Sequence, residues 1–124
     1  MDGPATIVVA EGEGSVARTV AAQLEPDGHA VHWVRTVREA RARLREERTD
    51  LLLLDVALET DGLEFFQAVR FAPEAPRGGV VVLADREDVA VRERAHQLGA
   101  AAVLAKPLRL DELSVVVREL LEVI

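Results

Sequence analysis

Five short apolar runs, separated by longer segments of helical period, set the strongest limit on what this chain can fold into. The runs are ATIVVA (5–10), AVHWV (30–34), DLLLLD (50–55), GVVVLA (79–84) and AAVLA (101–105). Three of them are apolar almost throughout, as strands covered on both faces must be. Because strands that alternate with helices are typical of a parallel sheet with crossover connections, we predict a doubly wound α/β fold of five β/α units.

The segments between the runs carry the start and stop signals of helices. Thr36 and Glu39 form a capping-box pattern, and Gly99 has the position of a C-terminal cap. The predicted helices cover residues 15–25, 36–47, 62–71, 87–98 and 110–123. The three histidines are scattered, and we expect them to be structural or on the surface. The expected core or near-core aromatic residues are Trp33, Phe65, Phe66 and Phe71.

Composition excludes several classes of function. A chain of 124 residues has the size of one domain, and it has no cysteine for a disulfide, a thiolate metal site or a nucleophile. The net charge of -7 argues against direct binding of nucleic acid by this domain. No apolar stretch approaches the roughly 20 residues of a membrane span, and the N-terminus does not resemble a signal peptide. We therefore expect a soluble cytoplasmic domain.

Charged residues are concentrated where the predicted strands end. In a doubly wound sheet the ligand binds outside the carboxyl ends of the strands, so the residues at those ends are the candidates for a site. We expect carboxylates from three strands and one ammonium to converge there. The residues at those ends are Glu11 and Glu13 after the first run, Asp55 at the third, Asp85 at the fourth and Lys106 at the fifth.

Carboxylates that face one lysine suit magnesium and phosphate together. Carboxylate oxygens are the ligands that Mg²⁺ prefers, and an ammonium is a mobile point charge for phosphoryl oxygens. Asp55 ends a run of four leucines, which holds its carboxylate at the mouth of a dry strand. A carboxylate placed in this way is a plausible nucleophile for phosphoryl transfer. Lys106 is the only lysine in a chain with 15 cationic residues, which favours a specific role for it.

The first turn also matches a second motif. Gly12, Gly14 and Ala17 follow the G-x-G-x-x-G/A pattern by which dinucleotide-binding domains hold a pyrophosphate. However, Glu11 and Glu13 put two negative charges where the polyphosphate would lie. We therefore keep a nucleotide- or flavin-binding domain only as a remote alternative.

Four segments together resemble the receiver domain of two-component response regulators, from about Thr6 to Val123. They are IVVAEGEGSV for the acidic first turn, LLLLDVALETDGLEFF for the phospho-acceptor segment, VVVLADRED for the fourth strand, and GAAAVLAKPLRLDEL with its Gly-Ala and Lys-Pro. The resemblance implies a flavodoxin-like fold with five parallel strands in the order 2-1-3-4-5 and helices on both faces. It also implies that the chain is not an enzyme in the usual sense but a phosphorelay signalling domain.

The resemblance implies a role for each matching residue. Asp55 would accept a phosphoryl group from a phosphohistidine on a sensor histidine kinase or phosphotransfer protein. Glu11 would be the first of two acidic residues that hold Mg²⁺, together with Asp55 and the backbone carbonyl of Ala57. Lys106 would bind the phosphoryl group, and the bond from Lys106 to Pro107 would be cis.

The match fails at the metal and switch positions. The second acidic residue of the first turn falls on Gly12, although a slip of one residue could bring Glu11 or Glu13 to the ion. The Ser or Thr that normally ends the fourth strand is Ala84, and the aromatic residue of the fifth strand is Val103. The metal site is therefore expected to be weakened, and the usual switch lacks both of its ends.

The loop after Asp55 differs as well. It has Glu59 where a proline is usual, and it is one residue shorter before Asp61 and Gly62. A pseudo-receiver, which is an interaction module of the same fold that works without phosphorylation, is therefore the main alternative to a phosphorylatable switch.

The resemblance also indicates partners. A homodimer would form through the fourth helix, the fifth strand and the last helix. DNA would be reached only through an output domain after the last helix. We take residues 1–124 as a single receiver domain, either alone or as the N-terminal part of a longer response regulator.

Overall fold

A computed structural model describes residues 3–59 and 62–124 of the chain. Strands and helices alternate along it. The strands are β1 (Thr6–Ala10), β2 (Ala30–Val34), β3 (Leu51–Asp55), β4 (Val80–Asp85) and β5 (Ala102–Lys106). The α-helices are α1 (Gly14–Leu24), α2 (Val37–Glu46), α3 (Gly62–Val69), α4 (Val89–Gln97) and α5 (Leu110–Glu122), and a short 3-10 turn (Glu25–Asp27) extends α1.

The five strands form one parallel sheet in the order β2-β1-β3-β4-β5. This order reverses between β1 and β3, so the carboxyl ends of these two strands face a crevice. The predicted fold class and strand order are confirmed. Within the described residues, no helix is long and apolar enough to cross a membrane.

The core consists of two layers, one on each face of the sheet, because side chains alternate across a strand. Even-numbered residues of β3, such as Leu52 and Leu54, pack against α2, α3 and α4, which we call the α2–α4 layer. Odd-numbered residues, such as Leu51 and Leu53, pack against α1 and α5, which we call the α1/α5 layer. All five residues of β3 are buried, which explains why its sequence is a continuous apolar run that ends in one acid.

Local signals explain the start of α2 and both ends of α4. Thr36 Oγ1 accepts a hydrogen bond from the Glu39 N–H at 3.0 Å, so Thr36 caps the start of α2 as predicted. The Glu39 carboxylate accepts from the Arg35 N–H rather than from that of Thr36, so the capping box is incomplete. Gly99 follows α4 with a φ of 92°, a conformation that glycine adopts readily. Helix α4 begins at Val89 rather than at the predicted residue 87, because the Asp88 carboxylate caps it by accepting from the Val91 N–H.

Two predictions about the third helix and its surroundings are wrong. Helix α3 ends at Val69, before the predicted residue 71, and Phe71 is 84% exposed rather than part of the core. Because the helix has already ended, Phe71 no longer follows its buried face. The guanidinium of Arg70 lies 4.7 Å from the centre of the Phe71 ring and covers part of it instead.

Candidate functional site

Three charged side chains from three strands meet at the carboxyl edge of the sheet. Glu11 follows β1, Asp55 ends β3 and Lys106 ends β5. Lys106 Nζ lies 2.8 Å from Glu11 Oε1 and 3.0 Å from Asp55 Oδ2. The ammonium therefore bridges two carboxylates that belong to the central strands.

The two carboxylates are buried. The exposed fraction of the side chain is 1% for Glu11, 9% for Asp55 and 22% for Lys106. Buried charges need both an opposite charge and hydrogen bonds to be tolerated. With both carboxylates ionised, one ammonium leaves the cluster one negative charge in excess, which a further cation would balance.

Each carboxylate also receives a backbone N–H on its second oxygen. Asp55 Oδ1 accepts from the Ala57 N–H at 2.9 Å, and Glu11 Oε2 accepts from the Glu13 N–H at 3.2 Å. All four carboxylate oxygens therefore have a donor. These bonds hold the two side chains in fixed orientations beside Lys106.

Burial and mutual contact shift the proton affinities of the cluster. Burial raises the pKa of the Glu11 carboxyl above its ordinary value, the adjacent Asp55 adds to the rise, and the hydrogen bond from Lys106 opposes it. Burial disfavours the charged form of Lys106, but its hydrogen bonds to Glu11 and Asp55 outweigh burial and raise the pKa of the amine. The ammonium is therefore charged at neutral pH.

Two other acidic residues at this edge lie outside the cluster. The Glu13 side chain is exposed, and the residue contributes its backbone N–H to Glu11. Asp85 is exposed and caps its own loop, because its Oδ1 accepts from the Glu87 N–H at 2.9 Å. The strand ends thus bring two carboxylates to Lys106, from two strands rather than the predicted three, because the Asp85 side chain turns to the N–H of its own loop.

The positions that depart from the receiver pattern differ in the space around them. Gly12 is exposed, and a Cβ added to it would have no heavy atom within 4 Å. Ala84 is 1% exposed and directly follows Leu83, which pairs with Asp55 across β3 and β4. Val103 is partly buried against the α2–α4 layer. No hydroxyl is therefore offered at the end of β4, whereas the space for a side chain at residue 12 is open.

The loop after β4 is held by contacts of its own. The Arg86 N–H donates to the Lys106 carbonyl at 3.1 Å. The Arg92 guanidinium donates to the Arg86 carbonyl at 2.8 Å from the first turns of α4. These two bonds tie the loop to β5 and to α4.

The loops after β3 and β5 complete the edge. The peptide bond between Lys106 and Pro107 is cis. Glu59 has a φ of 54°, which places it in the left-handed region that side chains other than glycine rarely adopt. Proline cannot adopt this φ, so the loop could not have the usual proline here without changing shape. The loop was also predicted to be one residue shorter before Asp61 and Gly62, and Asp61 lies outside the described residues.

Sequence reasoning missed one residue of this edge. Trp33, which we predicted as a core or near-core residue, is partly exposed, and its indole N–H donates to the backbone carbonyl of Glu11 at 2.7 Å. Its position one residue before the end of β2 places it at the ligand edge, and that was the only available signal. The contact itself joins residues 22 apart and follows no sequence pattern.

The donors of this cluster suit a small hard cation together with a phosphoryl group. Among residues 3–59 and 62–124, no group of three or more histidine, cysteine, aspartate or glutamate side chains is placed to hold a metal ion. Mg²⁺ nevertheless needs only one or two carboxylates, because it keeps several of its waters. Glu11 and Asp55 therefore fit Mg²⁺, and Lys106 fits an anion bound next to it.

Comparisons with known proteins agree with this geometry. The family model of the response regulator receiver domain matches residues 7–118. The phosphate regulon transcriptional regulatory protein PhoB of Rhizobium meliloti is 32% identical over 116 residues, which cover 93% of this chain and 51% of that protein. The transcriptional regulatory protein CrdR of Helicobacter pylori is 36% identical over 110 residues, covering 86% of this chain and 50% of that protein.

The structural comparison agrees as well. A response regulator from Thermotoga maritima superposes with a TM-score of 0.85 at 30% identity, covering 98% of this chain and 99% of that one. The chain spans about half of the length of PhoB and CrdR. With the family match over most of its length, the five-stranded sheet in the order β2-β1-β3-β4-β5 and the acidic edge beside a lysine, this chain belongs to the response regulator receiver domain family of two-component signalling.

Proposed function

We propose that this domain is a phosphorylatable switch whose phospho-acceptor is Asp55. The observation that carries the proposal is the bridge from Lys106 Nζ to Asp55 Oδ2 at 3.0 Å beside the buried Glu11. It supplies a nucleophilic carboxylate, a cation for phosphoryl oxygens and a second carboxylate for a metal ion in one place. Phosphoryl transfer needs little more than such positioning and charge neutralisation.

In the proposed reaction an oxygen of Asp55 attacks the phosphorus of a phosphohistidine on a sensor histidine kinase or phosphotransfer protein. The P–N bond breaks as the new P–O bond forms, and the imidazole leaves with its electron pair and takes up a proton. Lys106 then exchanges its contact with Asp55 Oδ2 for a phosphoryl oxygen. Its ammonium is already at hydrogen-bond distance, so this exchange needs only a small side-chain movement.

We further propose Mg²⁺ as the cofactor. Glu11, Asp55 and the backbone carbonyl of Ala57 would hold it, with Glu13 as a further candidate, and the ion would neutralise the phosphoryl oxygens when bound. Two buried carboxylates against one ammonium support a cation there, and the oxygen ligands favour Mg²⁺. Because residue 12 is glycine, the site has one carboxylate fewer than the family pattern and should bind Mg²⁺ weakly.

A pseudo-receiver is the second candidate, and the loop after β4 favours it. Ala84 has no hydroxyl with which a phosphoryl group could attract this loop, and Arg86 and Arg92 already tie it to β5 and α4. In this case partners would recognise the surface of the domain whatever the state of Asp55. For either function, we propose a homodimer through α4, β5 and α5, and contact with DNA only through an output domain in a longer protein.

The deciding experiment is phosphorylation of the isolated chain. Acetyl phosphate with Mg²⁺ should add one phosphoryl group, detected by intact mass and removed by hydroxylamine, which cleaves acyl phosphates. Asp55→Ala should abolish the adduct, and Asp85→Ala, which removes an exposed acid at the same edge, should leave it. If folded wild-type protein forms no adduct at saturating Mg²⁺ and no beryllofluoride complex either, the switch is excluded and the pseudo-receiver stands.

A further inference from the structure

The end of β2 binds Glu11, the residue that follows β1 and carries one of the carboxylates of the site. Trp33 pairs with Val9 in the sheet, and its indole N–H donates to the Glu11 carbonyl at 2.7 Å. The Glu11 N–H in turn donates to the Val34 carbonyl at 3.1 Å. Both backbone polar groups of Glu11 are therefore bound to the end of β2, one of them by a side chain.

The indole ring is itself fixed between two neighbours. The guanidinium of Arg35 lies 4.3 Å from the centre of the ring. On the side of the turn, a Cβ on Gly14 would lie 2.9 Å from Trp33 Cη2, which is too close for a side chain. Gly14 therefore has a reason to be glycine that does not involve a phosphate, because its missing side chain is what lets the ring reach Glu11.

The side chain of Glu11 is fixed at its carboxylate as well. Its carboxylate bridges to Lys106 and accepts the Glu13 N–H, and its exposed fraction is 1%. Since the next residue is Gly12, the turn gives the cluster no other side-chain carboxylate within its buried part. The two peptide groups that flank Glu11 thus decide where the acidic side chain after β1 lies relative to Asp55.

We propose that Trp33 is a positioning residue for Glu11: its indole N–H holds the Glu11 peptide so that the carboxylate stays beside Lys106 and Asp55. The part of the proposal that concerns Mg²⁺ rests on the proposed function, since Glu11 is there a ligand of the ion. The indole N–H of Trp33 donates to the Glu11 carbonyl, so its proposed effect on the cluster passes through Glu11.

The test exploits the fact that the chain has one tryptophan. In a tryptophan auxotroph, Trp33 is replaced by β-(3-benzothienyl)alanine, which keeps the shape of the ring and exchanges the N–H for sulfur. The matched control is 7-azatryptophan, which keeps the N–H. Trp33→Phe is a second, genetically encoded variant, and thermal unfolding checks that all four proteins are folded.

Hydrogen exchange of the Glu11 and Glu13 amides is measured first, in protein without Mg²⁺. Loss of one neutral hydrogen bond should speed exchange of these two amides by about fivefold relative to the azatryptophan control, with the amides of β3 and β4 unchanged. Equal exchange in the benzothienyl and azatryptophan proteins would overturn the positioning role, whether or not the domain is ever phosphorylated.

Mg²⁺ binding is measured next, by chemical-shift titration. The benzothienyl protein should bind Mg²⁺ about fivefold more weakly, with an unchanged rate of phosphorylation by acetyl phosphate at saturating Mg²⁺. A purely structural role would not produce this split between affinity and rate, so equal Mg²⁺ affinities would refute the proposal. If the wild-type protein binds no Mg²⁺, the proposed cofactor is wrong, and the exchange rates alone decide the role of Trp33.

Discussion

Glu59 Oε1 accepts a hydrogen bond from the Val37 N–H at 2.8 Å. The loop that follows β3 thus supplies a cap to the first turn of α2, which already has Thr36 as its N-cap. A helix leaves its first backbone N–H groups without partners, so this contact satisfies one that would otherwise face water. It also ties the loop after Asp55 to a helix on the α2–α4 side of the sheet.

Two substitutions at Glu59 should separate the cap from the backbone strain. Glu59→Ala removes the cap and keeps the left-handed φ of 54°, so it should lower the free energy of unfolding by about 1 kcal/mol. Glu59→Gly removes the same cap but relieves a strain of about 1 kcal/mol, so its stability should be close to that of the wild type. Urea denaturation of the wild type and the two variants measures both differences in the free energy of unfolding. If the alanine variant were as stable as the glycine variant, the backbone of Glu59 would not be strained.

Alkaline pH should destabilise the protein through a single side chain. Lys106 has a pKa raised above its ordinary value of 10.5, so its ion pairs stabilise the fold fully below that value and are lost as pH rises through the folded-state pKa. The chain has no tyrosine and no cysteine, and arginine stays charged to about pH 12 and beyond. As the pH is raised from about 10 to about 12, the denaturant concentration at the unfolding midpoint should therefore decrease in the wild type. In Lys106→Met it should stay constant over the same pH range. A parallel fall in both proteins would assign the loss to another group.

Restoring an acid at residue 12 should strengthen Mg²⁺ binding. A side chain fits at Gly12, because a Cβ there meets no heavy atom within 4 Å. Gly12→Asp adds a carboxylate near Glu11 and Asp55 and should lower the dissociation constant for Mg²⁺ by about tenfold, or about 1.4 kcal/mol. Gly12→Asn is the matched control, since it has the same shape without the charge. Isothermal titration would count against the prediction if both variants bound Mg²⁺ equally.

Ala84→Thr should supply a hydroxyl that donates a hydrogen bond to a phosphoryl group, or its beryllofluoride analogue, on Asp55. Hydrogen bonds to charged groups contribute about 1.5 to 3 kcal/mol, so Ala84→Thr should shift the population of the switched loop by about 10- to 100-fold in the beryllofluoride complex. Ala84→Val is the matched control, because valine has the shape of threonine without its hydroxyl. It meets the same crowding at a site that is 1% exposed in the wild type. NMR of the loop amides compares the two complexes, and identical populations would show that a hydroxyl here does not reach the phosphoryl group.

The fold was predictable because its strands are short, continuous and apolar. DLLLLD is short, continuous and apolar, as a strand with both faces covered must be. The rule that ligands bind at the carboxyl ends of parallel strands then singled out the acids and the lysine at those ends. The strand order was reached through the family resemblance, which rests on motifs such as Lys106-Pro107. The meeting of Glu11, Asp55 and Lys106 was thus expected from their positions in the sequence.

What the sequence did not reveal depends on contacts between distant residues or on small shifts of helix ends. Trp33 looks like any core aromatic residue until its indole N–H is seen to bind the Glu11 carbonyl. Glu59 looks like a missing proline until its φ and its bond to Val37 are known. Phe71 lost its predicted place in the core because α3 ends two residues earlier than its apolar pattern suggests.

The two layers of the core divide the edge of the sheet between them. By the alternation of side chains, Glu11, Asp55 and Lys106 continue the rows that pack on α1 and α5, whereas Ala84 and Val103 belong to the rows that pack on α2 to α4. The sheet therefore separates the three charged side chains from the two residues that depart from the family pattern. Repacking of α2 to α4 should alter the surroundings of Ala84 and Val103 without changing the helices that pack behind Glu11, Asp55 and Lys106.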